Sequence, residues 1–264
     1  MPNRVLSEAL RRIPARVSAQ PSAAERVAGA LREQIVDGAL RSGTRLTEET
    51  IGAALGFSRN TIREAFALLI AERLAVREPN RGVFVVTPTA DDIRDLYATR
   101  RLLEPAALEH GPGFSDETVC GLRTIVDAAR DARGRGDAAA VAQGNQEFHR
   151  AVVRLGASRR LDHLMQGVLA EMRLVFHLMD DDSGFHETYL DRNDAIVRDL
   201  EAGDRAAAAA ALRAYLADAE QHLLGVVGTV GVPGAPGVPS ARGVPGARGV
   251  PGALGVPGDS GSSD

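Results

Sequence analysis

The sequence predicts a mainly α protein in which an N-terminal winged helix-turn-helix is followed by an all-α helical bundle. Residues 46–86 read as two short helices, a tight turn and a small hairpin, and residues 91–225 carry helical periodicity throughout. Charge divides at the same place: residues 1–90 are net +4 and residues 91–225 are net −8. A basic front on an acidic body suits a DNA-binding module joined to a solvated sensor domain.

In the first of the two short helices, Ile51, Ala54 and Leu55 recur at helical spacing, and Thr47 stands where an N-cap belongs. Gly56 breaks that helix. Ser58 is a second N-cap, after which Ile62, Ala65, Phe66, Leu69 and Ile70 lay down an apolar stripe. The opening turn of this second helix is polar, with Ser58, Arg59, Asn60, Thr61 and Arg63. A recognition helix meets base edges with its N-terminal residues, and its free N–H groups and positive dipole end favour phosphate. The hairpin follows as Leu74-Ala75-Val76, the turn-forming run 78–82 and the β-branched return 83–86. Arg81 stands at the wing tip, and Gly82 permits the positive φ that close approach to a phosphate or a minor groove requires.

Residues 22–88 resemble the DNA-binding domain of GntR-type bacterial transcriptional regulators. The resemblance is carried by Leu31-x-x-x-Ile35-x-x-Gly38-x-Leu40-x-x-Gly43-x-Arg45-Leu46 and by the block Leu55-Gly56-Phe57-Ser58-Arg59-x-x-Ile62-Arg63-Glu64-Ala65. It departs from the family at Ser42, where a proline is usual, and at Glu49, where a basic residue is frequent. It implies DNA contacts from Ser58, Arg59, Asn60, Arg63 and the Arg81-Gly82 wing.

Beyond Asp91 the periodicity predicts six helices. The first opens at Asp91-Asp92, the second at about residue 115, and the third covers about 137–155. A fourth, from Leu161 to Met179, has a wide apolar face; the last two, about 187–202 and 204–224, are joined by Gly203-Asp204. This half resembles the helical ligand-binding domain, called FCD, of the FadR subgroup of GntR regulators. The matching residues are Arg100-x-x-Leu103-Glu104-Pro105, Asn145-x-x-Phe148-His149-Arg150, Asn193-x-x-Ile196-Val197 with Glu201-Ala202-Gly203-Asp204, and Leu212-Arg213-Ala214-Tyr215-Leu216. Many members of that group hold a divalent metal with one Asp and three His. Those four positions fall on Asn145, His149, Asn193 and Tyr215.

One imidazole with two amides and a phenol is a poor transition-metal site, so no metal and no other cofactor is expected. The same four residues suit the floor of a pocket for a polar organic effector, with Arg100 as a fork for a carboxylate or phosphate. The bland alternative is that His149 is a satisfied core histidine and Arg100 a salt-bridged structural arginine. A second constellation pairs His186 with His222, each two helical turns from Asn193 and Tyr215, as a displaced metal or pH-sensitive pair. Helix-end exposure is the alternative there, and the acidic run 180–182 reads as a solvated loop.

The remaining features bound the function. All 31 basic residues are arginine, so no lysine is present for Schiff-base chemistry. A single cysteine, Cys120, excludes an internal disulfide and suits a reducing compartment. No segment approaches the roughly 20 apolar residues of a membrane span, and residues 1–20 lack the apolar core of a signal peptide. The expected organisation is a flexible arm at 1–20, the DNA-binding domain at 21–89, the ligand-binding and dimerisation domain at 90–226, and a disordered Gly/Pro-rich tail at 227–264. In that tail glycine recurs at every third position from 228 to 261, except at Ser240.

The function expected from these features is that of a cytoplasmic transcriptional regulator. It would act as a homodimer on a palindromic double-stranded operator, with its affinity modulated by a small polar, carboxylate-bearing effector and no membrane partner. The alternatives are a small helical enzyme with His149 as general base, for which no carboxylate partner stands at motif spacing, and an architectural DNA-binding protein.

Overall fold

The computed structural model describes residues 21–179 and 183–230. The N-terminal arm, the acidic run 180–182 and the Gly-X-Y tail beyond 230 lie outside the described residues. Helix α1 (Ala23–Val36) opens at a capping box in which the Ser22 hydroxyl accepts from Glu25 N–H and the Glu25 carboxylate accepts from Ser22 N–H. Strand β1 (Arg45–Leu46), helices α2 (Glu48–Leu55) and α3 (Arg59–Ala71), and strands β2 (Ala75–Glu78) and β3 (Gly82–Val85) complete the N-terminal part. The sheet runs β1-β3-β2, antiparallel throughout, with Leu46 opposite Val83 and Val76 opposite Phe84.

Three details differ from the sequence expectation. The hairpin gains a third strand, β1, too short for a period-2 signal but paired through Arg45 and Leu46. Thr47 occupies the N-cap position of α2, yet its hydroxyl donates to Thr50 Oγ1 at 2.7 Å and makes no backbone cap. The apolar residues of α2 do not form a buried stripe: Ile51 is only half-buried and Leu55 is 42% exposed. Helix α2 packs lightly because α3 supplies the core, through Ile62, Ala65, Phe66 and Leu69. The predicted break at Gly56 is present, with φ at +72°.

The bundle comprises α4 (Ala90–His110), α5 (Asp116–Gly134), α6 (Ala138–Arg154), α7 (Arg159–His177), α8 (Ser183–Glu201) and α9 (Arg205–Val230). Side chains of Thr89, Ser115, Asp137 and Ser158 cap α4 to α7. Helix α4 lies along α9, and α8 packs on α5, α6 and α9. Asp194 on α8 ties that helix down: its buried carboxylate is paired with Arg123 and Arg130 of α5 and with Arg198. Helix α8 begins earlier than the periodicity suggested, taking His186 inside it, and α9 runs through residue 230, past the expected start of the tail. The two small residues Gly225 and Gly228 disguised that continuation.

The winged helix and the bundle share packing. Leu174 of α7 is buried in the same apolar cluster as Ile35, Phe66 and Leu69, and Ala170 packs against it. The His177 ring fills the space over Gly38, where φ is +80° and an added Cβ would stand 3.1 Å from Nε2. Half-buried Glu171 is on the same helix. Burial pushes its carboxyl up to about 7, with Asp92 and Asp95 adding to the rise and Arg73 opposing it.

A raised folded-state value means that proton binding favours the fold below about 4.5 and that this contribution is lost as pH rises through about 7. Glu171→Gln is therefore expected to melt with wild type at pH 4 and above it at pH 8. Identical melting curves at pH 8 would show Glu171 fully solvated in the native protein.

Candidate functional sites

The N-terminal end of α3 is built by Ser58. Its hydroxyl accepts from Thr61 N–H at 3.2 Å and lies 2.9 Å from the Thr61 hydroxyl, which fixes the first turn. Arg59, Asn60 and Arg63 are exposed on that end and Thr61 is half-buried. Two of them are held from within the domain: Asn60 Nδ2 donates to Glu64 Oε1 at 2.8 Å, and Arg63 Nε donates to Glu48 Oε1 at 2.7 Å. The Glu48 carboxyl sits below its usual range, first through that bond and then through the nearby charges of Arg63, Arg59 and Arg77. At the wing, Asn80 and Gly82 take φ of +60° and +118°. Arg81 pairs with Glu78 and stacks its guanidinium 5.2 Å from the centre of the Phe84 ring. All the DNA-contact residues expected from sequence thus lie on α3 and the wing. Arg45, which lies against Gly82, had no sequence signal beyond its place in a motif.

The residues expected at the effector site converge in the bundle interior. Arg100, Glu104, Asn145, His149, Asn193 and Tyr215 are each at most 4% exposed. Glu104 lies one helical turn from Arg100 on α4 and accepts from Arg100 Nε at 2.7 Å; its other oxygen is 2.7 Å from His149 Nδ1. His149 Nε2 lies 3.0 Å from the Tyr215 hydroxyl, which is also 3.2 Å from Asn145 Oδ1. Asn193 Nδ2 donates to Asn145 Oδ1 at 2.8 Å, and Asn145 Nδ2 lies 3.4 Å from His186 Nδ1.

Protonation follows from this environment. Burial alone would raise the Glu104 carboxyl, but Arg100 and His149 beside it hold it below its usual range. Burial, reinforced by Arg100, lowers His149 against the pull of Glu104. Glu104 is then an anion and His149 a neutral ring, whose Nδ1–H donates to Glu104 and whose Nε2 accepts from Tyr215. His149 Nε2 and Asn145 Oδ1 compete for the single phenolic hydrogen. His186, lowered to about 4 mainly by burial, is neutral too, so its Nδ1 accepts from Asn145. Two polar atoms of the knot lack a partner, Arg100 Nη2, a donor, and Asn193 Oδ1, an acceptor.

This geometry corrects three expectations. A carboxylate does stand beside His149; Glu104 comes from another helix, where spacing along the sequence could not reveal it. Arg100 is not wholly available to a ligand, because Nε is committed to Glu104 and only part of the fork remains. Helix-end exposure does not hold for His186, which is buried inside α8 beside Asn145, while His222 lies against Phe185 and Tyr189. Among the described residues, no group of three or more His, Cys, Asp or Glu could hold a metal ion.

Removing the Glu104 charge leaves Arg100 buried without its counter-ion. Glu104→Gln is expected to cost about 3–5 kcal/mol of stability, measured by denaturant unfolding. A cost below about 1 kcal/mol, the range of an exposed pair, would place the knot in contact with water.

Comparison with known proteins agrees with both halves. The family model described as bacterial regulatory proteins, gntR family, matches residues 23–85, and the FCD domain model matches residues 95–218. An uncharacterised HTH-type transcriptional regulator of Paraburkholderia xenovorans is 30% identical over 184 residues, covering 65% of this chain and 75% of that protein. The gluconate operon transcriptional repressor of Bacillus licheniformis is 31% identical over 142 residues, covering 53% of this chain and 58% of the relative. A crystal structure of a putative GntR regulator from Rhodococcus sp. RHA1 superposes with a TM-score of 0.72 at 46% identity, covering 78% of this chain and 99% of that one. No helix among the described residues is long and apolar enough to cross a membrane. The proteins of this group are transcriptional regulators, not enzymes, and the chain belongs to the GntR family of bacterial transcriptional regulators, with an FCD-type C-terminal domain.

Proposed function

We propose that this regulator acts in the cytoplasm as a homodimer on a palindromic operator, and that a small polar effector bearing a carboxylate changes its operator affinity. The observation that carries the effector reading is the buried pair of unsatisfied groups, Arg100 Nη2 and Asn193 Oδ1. A buried donor and a buried acceptor left open in one network suit a ligand that offers an anionic oxygen to the first and an O–H or N–H to the second. The effector site comprises Arg100, Asn145, His149, Asn193 and Tyr215. Repression is the favoured output, because relatives of this chain are named as a gluconate operon repressor and a probable D-xylose utilization operon repressor. Helix α7 offers a physical route for coupling: its Phe176 ring lies 4.5 Å from that of His186, and two residues earlier Leu174 enters the DNA-binding core. Mass spectrometry of ligand co-purified with wild type and absent from Arg100→Ala tests the effector reading.

The donor set does not fit a divalent metal. Besides His149, whose Nε2 is taken by Tyr215, the four positions offer two neutral amides and a phenol that burial keeps protonated. The purified protein is expected to carry no stoichiometric metal. Restoring Asn145→Asp, Asn193→His and Tyr215→His together is expected to let zinc raise the melting temperature, with wild type unmoved. One equivalent of metal in wild type, lost on His149→Ala, would overturn this.

On the DNA side, Arg59→Ala is expected to weaken operator binding by about 1–3 kcal/mol, and Arg81→Ala to weaken all duplexes with less regard for sequence. Gel-shift titration at fixed salt separates the two effects. Unchanged affinity in the Arg59→Ala, Arg63→Ala double mutant would refute α3 as the recognition helix.

A further inference from the structure

Among the arginines assigned to DNA, Arg63 is held in a particular way. Its Nε donates to Glu48 Oε1 across 15 residues of sequence, from the second turn of α3 to the first turn of α2, while its side chain stays 63% exposed. The guanidinium is a planar fork of five N–H groups. With Nε committed, the edge formed by the two Nη groups remains, and an edge of that kind reads O6 and N7 of guanine bidentately.

The Glu48 carboxylate is well secured. It stands at the N-terminal end of α2, where the helix dipole favours a negative charge, and Arg59 and Arg77 lie close by. An exposed ion pair contributes little to stability, so its effect is on the poses open to Arg63. A free arginine swings to the nearest phosphate, a contact without sequence information. A fixed carboxylate at its root repels phosphate and restricts the side chain before DNA arrives, which reduces the ordering cost of the base contact.

We propose that Glu48 is a specificity-determining residue of the DNA-reading face: it holds Arg63 by Nε, directs the Nη edge to a guanine and keeps that arginine from phosphate. The proposal rests on the DNA-binding role of α3. It concerns a carboxylate that touches no base and acts through Arg63 as a positioning residue.

The test is selection of the full chain against a random duplex pool, followed by titration of a selected duplex and of an unrelated one across a salt series. The proteins are wild type, Glu48→Gln, Arg63→Ala and the double mutant. Wild type is expected to select a half-site containing a guanine whose preference Arg63→Ala abolishes. Glu48→Gln keeps the side-chain volume and the fold, and is expected to reduce preference at that one position by about tenfold. It should also bind the unrelated duplex several-fold more tightly, with a salt slope steeper by about one unit. In the Arg63→Ala background the Glu48 change is expected to leave base preference unaltered. A Glu48→Gln protein with wild-type base preference and wild-type affinity for unrelated DNA overturns the proposal, as does an effect of equal size in the Arg63→Ala background. A wild type that selects no sequence overturns the DNA-binding role itself, and this proposal with it.

Discussion

The Glu104 carboxylate lies fully buried between Arg100 and His149, and what it accepts orients much of the bundle interior. Moving an ion out of water costs several kcal/mol even after relaxation, so such a charge persists only where its partners are close and complete. Arg100 comes from the same helix, one turn earlier, and sets the charge balance locally. His149 comes from α6 and carries the constraint onward, since the ring nitrogen left over meets Tyr215 of α9. Asn145, Asn193 and His186 follow in sequence, bringing in α8. The knot therefore fixes the relative rotation of four helices, which apolar packing alone would allow to slide.

The DNA-reading end is arranged on the opposite principle. Its arginines are exposed, the carboxylates Glu48 and Glu78 are half-buried, and ion pairs of this kind contribute little to stability. Asn60, Arg63 and Arg81 each carry a carboxylate neighbour, Glu64, Glu48 and Glu78 respectively. A face that is too uniformly basic would hold any duplex. On the proposed reading of α3 and the wing, interleaved carboxylates would lower that background and leave the contacts that distinguish bases.

Much of this was legible in the sequence because the relevant signals are local. Ser58, Gly56 and the apolar spacing of Ile62, Ala65, Phe66 and Leu69 define α3 within a few turns of chain, and Gly82 marks the wing by its backbone need. The five residues Arg100, Asn145, His149, Asn193 and Tyr215 were brought together by their match to family motifs, and the structure gathers them in one network. What stayed hidden depends on contacts across the fold. Nothing near His149 in the chain announces Glu104, 45 residues away, or shows that Nε of Arg100 is already spent. The two-residue strand β1 exists only because β3 is there to pair with it. Leu55, apolar and in register, remains exposed because α3 had already filled the core.

Leu174 bears on how such a protein can be taken apart. The sequence invites a cut near residue 89, between the wing and the bundle, as though the head were an interchangeable cassette. Yet the head's apolar interior is closed by a side chain from the fourth bundle helix, and the surface over Gly38 is closed by His177 of that same helix. A chimera joined at that boundary to a different sensor would inherit a hole where Leu174 belongs, a defect that costs about 2–5 kcal/mol in a packed interior. Lineages that exchange sensors must therefore exchange them with that turn of α7, or repair the head afterwards. Modularity in this chain runs along a packing surface, and not along the polypeptide.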